Sequence, residues 1–148
     1  NICDREIVKK FLENFNRYGY PEVIYCSPFL RTRQTLAIIK KALSPEVKIF
    51  YDKKVEEYLG FQKPVGSRAD LDKITYNYTD PKLGVENFQG LKKRAINFYD
   101  SIKDSEKNIL IITHGIFISN IALNLNLKLN QIKELEGIVI EKNLINKV

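Results

Sequence analysis

The sequence predicts an α/β domain: a three-layer sandwich with a mainly parallel central sheet and helices on both faces. Short apolar runs of strand type alternate with segments of helical spacing along the chain, the pattern of a parallel sheet with crossover helices. The runs "EVIYCS" and "NILIIT" lack the alternation of a half-solvated strand, so both read as buried on two faces. Residues 1–148 make one domain by length, with a core large enough to fold without metal or disulfide staples.

In chain order, Ile7, Val8, Phe11, Leu12 and Phe15 fall at helical spacing, with Asp4 as a candidate cap and Gly19 and Pro21 as the stop. "EVIYCS" is the first strand. "RTRQTLAIIKKALS" returns to helical spacing through Leu36, Ile39 and Leu43 and ends before Pro45, and "VKIFY" is the next strand. From Asp52 to Val85 the pattern dissolves into Gly, Pro, Asp and Lys with isolated aromatics, a long excursion of a kind more often functional or mobile than structural. Phe88, Leu91, Ala95, Phe98 and Ile102 restore a helix. "NILIIT" reads as the most buried strand, "HGIFISNIALNL" as the helix after it, and "GIVIEKNLINKV" as a closing strand or hairpin. No internal repeat, low-complexity tract or linker divides the chain.

Composition narrows the partners. The net charge of +6 favours anions, but the lysines are scattered in pairs that suit solvated helix faces. No basic block is interleaved with stacking aromatics, so no nucleic acid is expected. No apolar run approaches the roughly 20 residues that span a bilayer, so no membrane partner is expected. Two cysteines, Cys3 and Cys26, without a secretory leader pattern, read as reduced thiols of a cytoplasmic protein. A single histidine and scattered acids give no metal-ligand set, and no cofactor is expected. Nothing in the sequence specifies an oligomeric state.

In parallel sheets ligands bind beyond the carboxyl ends of the strands, where helix N-termini present free N–H groups. Two motifs fall there: "SPFLR" after the first strand and "HG" after the strand ending at Thr113. Arg31, in the first turn of its helix, opposes the macrodipole and makes sense if an anion occupies the site; its fork matches phosphate oxygens. Taken alone, it reads rather as a surface residue or an ion pair with a neighbouring acid. His114 is either a satisfied polar cap or a ligand-binding imidazole, and Gly115 beside it permits close approach to the backbone. Glu56 and Glu57 are a third candidate: a solvated pair next to lysines, or a carboxyl raised in pKa by covering aromatics to act as an acid.

Taken together, these motifs resemble the histidine phosphatase superfamily, the group containing the phosphoglycerate mutases. "VIYCSPFLRTRQTLAII" is similar to the family's strand, Ser-Pro turn and Arg-x-x-Gln-Thr helix, and "VEEYLGF" to its acid loop, with Glu57 in register and Glu56 as the alternative. "ILIITHG" resembles the strand delivering the family's second catalytic histidine, "ENFQGLKKRAINFYDSI" the preceding helix with Glu86 and Arg94 in place, and "ICDREIVKKFLENF" the helix after the family's first strand. The resemblance implies a phosphoglycerate mutase-like fold and a small phosphorylated substrate. It also implies His114, Glu57 and Arg31 as catalytic residues, Arg31, Ser27 and Gly115 as substrate-binding residues, and residues 61–85 as the excursion that covers the substrate.

One departure stands out. The family's nucleophile lies in an Arg-His-Gly motif on a first strand, and the 148 residues contain no counterpart. Either roughly thirty residues, about one βαβ unit, lie upstream, or the chemistry has been lost. The fragment expectation is that the chain alone is inactive and aggregates or stays partly unfolded, and that the upstream segment restores folding and activity together. The function expected is phosphatase action on small phosphorylated metabolites. The alternatives are a catalytically degenerate phosphate-binding or scaffold module and a phosphoglycerate mutase-type phosphotransferase. A cysteine phosphatase is disfavoured: "CSPFLR" places four residues between Cys26 and Arg31 where that chemistry needs five, and Pro28 removes an N–H donor.

Overall fold

The structure, a computed structural model, describes residues 3–57, 86–129, 132–141 and 144–148. The excursion expected at residues 61–85 lies outside the described residues. Among the described residues, four helices and five strands follow in the order α1 (Asp4–Tyr18), β1 (Val23–Cys26), α2 (Leu30–Lys40), β2 (Lys48–Tyr51), a 3-10 turn (Lys53–Val55), α3 (Phe88–Ile102), β3 (Ile109–Ile112), α4 (Gly115–Asn124), β4 (Ile138–Glu141) and β5 (Leu144–Lys147).

Strands β2, β1 and β3 form a parallel sheet in that order, with Ile24 opposite Ile49 on one side and Leu110 on the other. Successive side chains of a strand point to opposite faces, and here each face has its own core. Ile24, Cys26 and Ile112 pack with Ile7 of α1 and with Leu36 and Ile39 of α2. On the other face, Tyr25 and Ile111 pack against Leu91, Ala95 and Phe98 of α3 and Phe117 and Ile121 of α4. The expected layers, helices on both faces of a parallel sheet, are therefore present.

Several local boundaries differ from the sequence reading for physical reasons. Cys3 is the N-cap of α1, and Asp4 lies inside the first turn, where its charge still complements the dipole. Gly19 ends that helix as expected, at φ 111°, a conformation that a Cβ would strain. Helix α2 ends at Lys40 rather than running through Leu43, and two successive turn hydrogen bonds, Ala42 N–H to Ile39 O and Leu43 N–H to Lys40 O, finish it. Asn87 caps α3 by accepting from the Gly90 N–H at 2.7 Å.

The strand that reads as most buried is not. In β3 only Ile112 is buried, whereas β1 has three buried residues of four. The reason is position: β1 is paired on both sides, while β3 is an edge of its sheet among the described residues. Beyond that edge lies a cleft of about 680 Å³, lined by Ile109–Ile112 on one side and Ile138–Ile140 of the β4–β5 hairpin on the other. Phe11 and Phe15 of α1 close one part of it, and Arg31, Glu57 and His114 line another. No helix among the described residues is long and apolar enough to cross a membrane.

Candidate active site

Strands β1 and β3 run parallel and in register, so their carboxyl ends, Cys26 and Ile112, lie side by side. The chain leaves β1 through Ser27 and enters α2 after Phe29; it leaves β3 through Thr113 and enters α4 with His114 as N-cap. Arg31 and His114, 83 residues apart, therefore meet: Arg31 Nη2 lies 3.0 Å from His114 Nδ1. The same Nη2 donates to Glu57 Oε2 at 2.9 Å, and that oxygen is 3.5 Å from His114 Nδ1. Glu57 arrives from the segment after β2. Of the two glutamates left open by the sequence, it is Glu57 whose carboxylate stands in the cluster, while Glu56 offers its backbone carbonyl to Arg94.

This geometry fixes the histidine tautomer. A guanidinium can only donate, so Nδ1 must accept, and the ring proton sits on Nε2. Nε2–H then donates to Ser27 Oγ at 2.9 Å. Ser27 is fully buried and holds the ring from the side opposite Arg31; Phe29 adds an edge-on contact at 5.1 Å between centroids. Burial pushes the His114 pKa down to about 4, and the positive charges of Arg31 and Arg94 add to the effect. The resting ring is neutral.

Arg31 has no acidic neighbour in the first turn of α2, and its side chain is 61 % exposed. Its fork therefore faces the cleft mouth with one carboxylate on it. At Gly115 a Cβ would lie 3.3 Å from the Ile132 carbonyl oxygen, so here the chain itself approaches the glycine closely.

Two residues were not singled out as functional in the sequence. Thr113 Oγ1 donates to Val55 O at 2.6 Å, tying the end of β3 to the turn that precedes Glu57. Arg94 holds the same turn from α3 and pairs with Glu86 at 2.7 Å. A polar residue ending an apolar strand, and an arginine eight residues after a glutamate across a helix start, were the available signals. Cys26, the nucleophile of the rival reading, is fully buried, and burial pushes its thiol pKa up, away from the thiolate that such chemistry needs. Among the described residues, no three His, Cys, Asp or Glu side chains gather where they could hold a metal ion.

A sequence profile described as histidine phosphatase superfamily (branch 1) matches residues 5–139. Solved structures with a similar fold include YhfR of Bacillus stearothermophilus, with 18% identity and TM-score 0.64, covering 96% of this chain and 79% of that one. Phosphoglycerate mutase of Plasmodium falciparum aligns at 17% identity and TM-score 0.53, over 98% of this chain and 89% of its own. The ecdysone phosphate phosphatase of Bombyx mori, solved with tungstate, aligns at 18% identity and TM-score 0.51, over 93% and 60%. No curated protein matches in sequence. At such identities these structures bear on the fold alone.

Proposed function

The chain belongs to the histidine phosphatase superfamily, and from that premise we propose that it is a phosphoric monoester hydrolase acting on small phosphorylated metabolites through a phosphohistidine. The nucleophilic histidine is carried outside residues 1–148. The observation that carries the reading is the convergence of Arg31, Glu57 and His114 within 2.9–3.5 Å at the carboxyl ends of parallel strands.

The chemistry follows from the side chains present. A phosphoryl group entering the mouth takes the place of the Glu57 carboxylate on Arg31, which can grip two of its oxygens. Its negative charge beside His114 favours the protonated ring, so binding draws in a proton and turns Nδ1 from acceptor to donor. The nucleophilic histidine attacks phosphorus; the P–O ester bond breaks, and protonated Glu57 gives its proton to the leaving oxygen. Glu57 then accepts a proton from water as that water attacks phosphorus, the P–N bond breaks, and inorganic phosphate leaves. Arg31 and His114 stabilise the charge on the equatorial oxygens in both steps.

Among the described residues no strand pairs with the outer edge of β3, and that edge and the cleft beside it support a nucleophile delivered by a further strand. Unpaired N–H and C=O groups of an apolar edge are costly to leave unmet, and a strand seated there would end near His114. The free cysteines Cys3 and Cys26 accord with a reducing, cytoplasmic setting.

The test is trapping in the full-length protein. Rapid denaturation during turnover of a phosphate monoester should yield an acid-labile phosphoenzyme, mapped by mass spectrometry to a histidine other than His114, with inorganic phosphate as product. Label on His114 or Cys26, an isomeric phosphate ester as the main product, or tight phosphate binding without turnover would each overturn the reading.

A further inference from the structure

Resting on the function proposed above, we infer that Arg94 is a positioning residue: it acts through the backbone of residues 54–57 to place the Glu57 carboxylate. The arrangement is unusually complete. A guanidinium has five N–H donors, and all five of Arg94 are used. Nε and one Nη2 proton fork onto Glu86, at 2.7 and 2.9 Å. Nη1 donates to the carbonyls of Lys54 and Glu56, at 2.8 and 2.9 Å, and the second Nη2 proton goes to the carbonyl of Glu57 at 3.1 Å. Thr113 holds the one remaining carbonyl, that of Val55. Four successive carbonyls are thus held by side chains.

Such holding is needed here. After the 3-10 turn the backbone becomes extended at Glu56, with φ −68° and ψ 163°, and no strand pairing of the described residues fixes it. Arg94 itself is rigidly based. It projects from α3, whose Leu91, Ala95 and Phe98 are core residues, and its guanidinium lies over the fully buried Phe117 ring at 5.6 Å. Glu86 neutralises its charge within a pair of side chains only 16 and 12 % exposed. The core's rigidity is thereby passed to a segment with no regular structure of its own, and Glu57 is presented to Arg31 and His114. Lysine cannot replace this contact, because three donors on a point charge cannot span three carbonyls and a carboxylate.

The inference is tested by the leaving group. Glu57 as general acid matters for an alkyl phosphate, whose alkoxide must be protonated, and little for 4-nitrophenyl phosphate, whose phenolate leaves unaided. In the full-length protein, Arg94→Lys should lower kcat for the alkyl ester by on the order of tenfold more than for the nitrophenyl ester, a part of the roughly 10²–10⁴-fold that general acid catalysis supplies. Glu86→Gln, which preserves shape, should show the same bias more weakly and carries the test if Arg94→Lys does not fold. In a Glu57→Gln background the bias added by Arg94→Lys should vanish, since both changes remove one function. Equal losses with both esters, or a bias that persists without Glu57, would overturn the positioning role while leaving the phosphatase reading intact. No turnover of either ester by the unsubstituted protein would overturn that reading and the inference with it.

Discussion

Lowering the pH from 7 to 5 should destabilise the protein through His114, and replacing His114 by Gln should remove that part of the loss. The folded ring titrates at about 4, while the same imidazole in the unfolded chain titrates near 6.5. Between those values the unfolded state binds a proton that the folded state refuses, so the contribution is fully present above pH 6.5 and declines as pH falls toward 4. At pH 5 the full shift corresponds to about 2 kcal/mol. Two features trim this: the Arg31 side chain is 61 % exposed, so its charge is screened, and the Glu57 carboxylate 3.5 Å from Nδ1 favours the protonated ring. The expected loss is about 1–2 kcal/mol. Denaturant unfolding of the full-length protein and of His114→Gln, each at pH 7 and pH 5, gives the quantity as a difference of differences, in which all other titrating groups cancel. Equal pH losses in the two proteins would refute the buried, neutral histidine.

Two further outcomes bear on the same cluster. Arg31→Lys keeps the charge but loses the fork, and should cost on the order of 10²–10³-fold in kcat with a smaller change in KM; unchanged efficiency would sink the assignment. Glu57→Gln should abolish one limb of the rate-against-pH profile while Glu56→Gln leaves both limbs in place, because only the Glu57 carboxylate stands beside Arg31 and His114; a profile altered by Glu56→Gln instead would move the acid by one residue.

The layers and the positions of Arg31 and His114 were legible because each depends on local pattern. An apolar run, a turn residue and a helical repeat place Arg31 and His114 at strand ends wherever the neighbouring strands lie, and parallel pairing does the rest. What could not be read was anything set by strand neighbours. "VIYC" and "ILII" look alike in sequence, yet among the described residues one is central and the other an edge, so the burial ranking came out reversed. The choice between Glu56 and Glu57 was also closed to sequence, because it turns on which way an extended segment faces. Arg94 holds that segment by its carbonyls from 37 to 40 residues away; the resemblance placed this arginine, but nothing in composition or periodicity says which carbonyls its donors reach.

The pairing of β1 also orders the assembly of the molecule in time. Val23 pairs with Lys48, 25 positions on (48 less 23), and with Ile109, 86 positions on (109 less 23). Closing the longer loop costs about 1 kcal/mol more chain entropy, from the logarithm of the length ratio. As the chain emerges from the ribosome, β1, α2 and β2 can zip together well before β3 has been made, and Arg31 is then already in position. His114 joins only with the slow, non-local pairing. Under the proposed function, the arginine of the phosphate grip is then in place early and the imidazole arrives with the last described strand of that sheet, so competence to grip a phosphoryl group would report that the slowest pairing has closed.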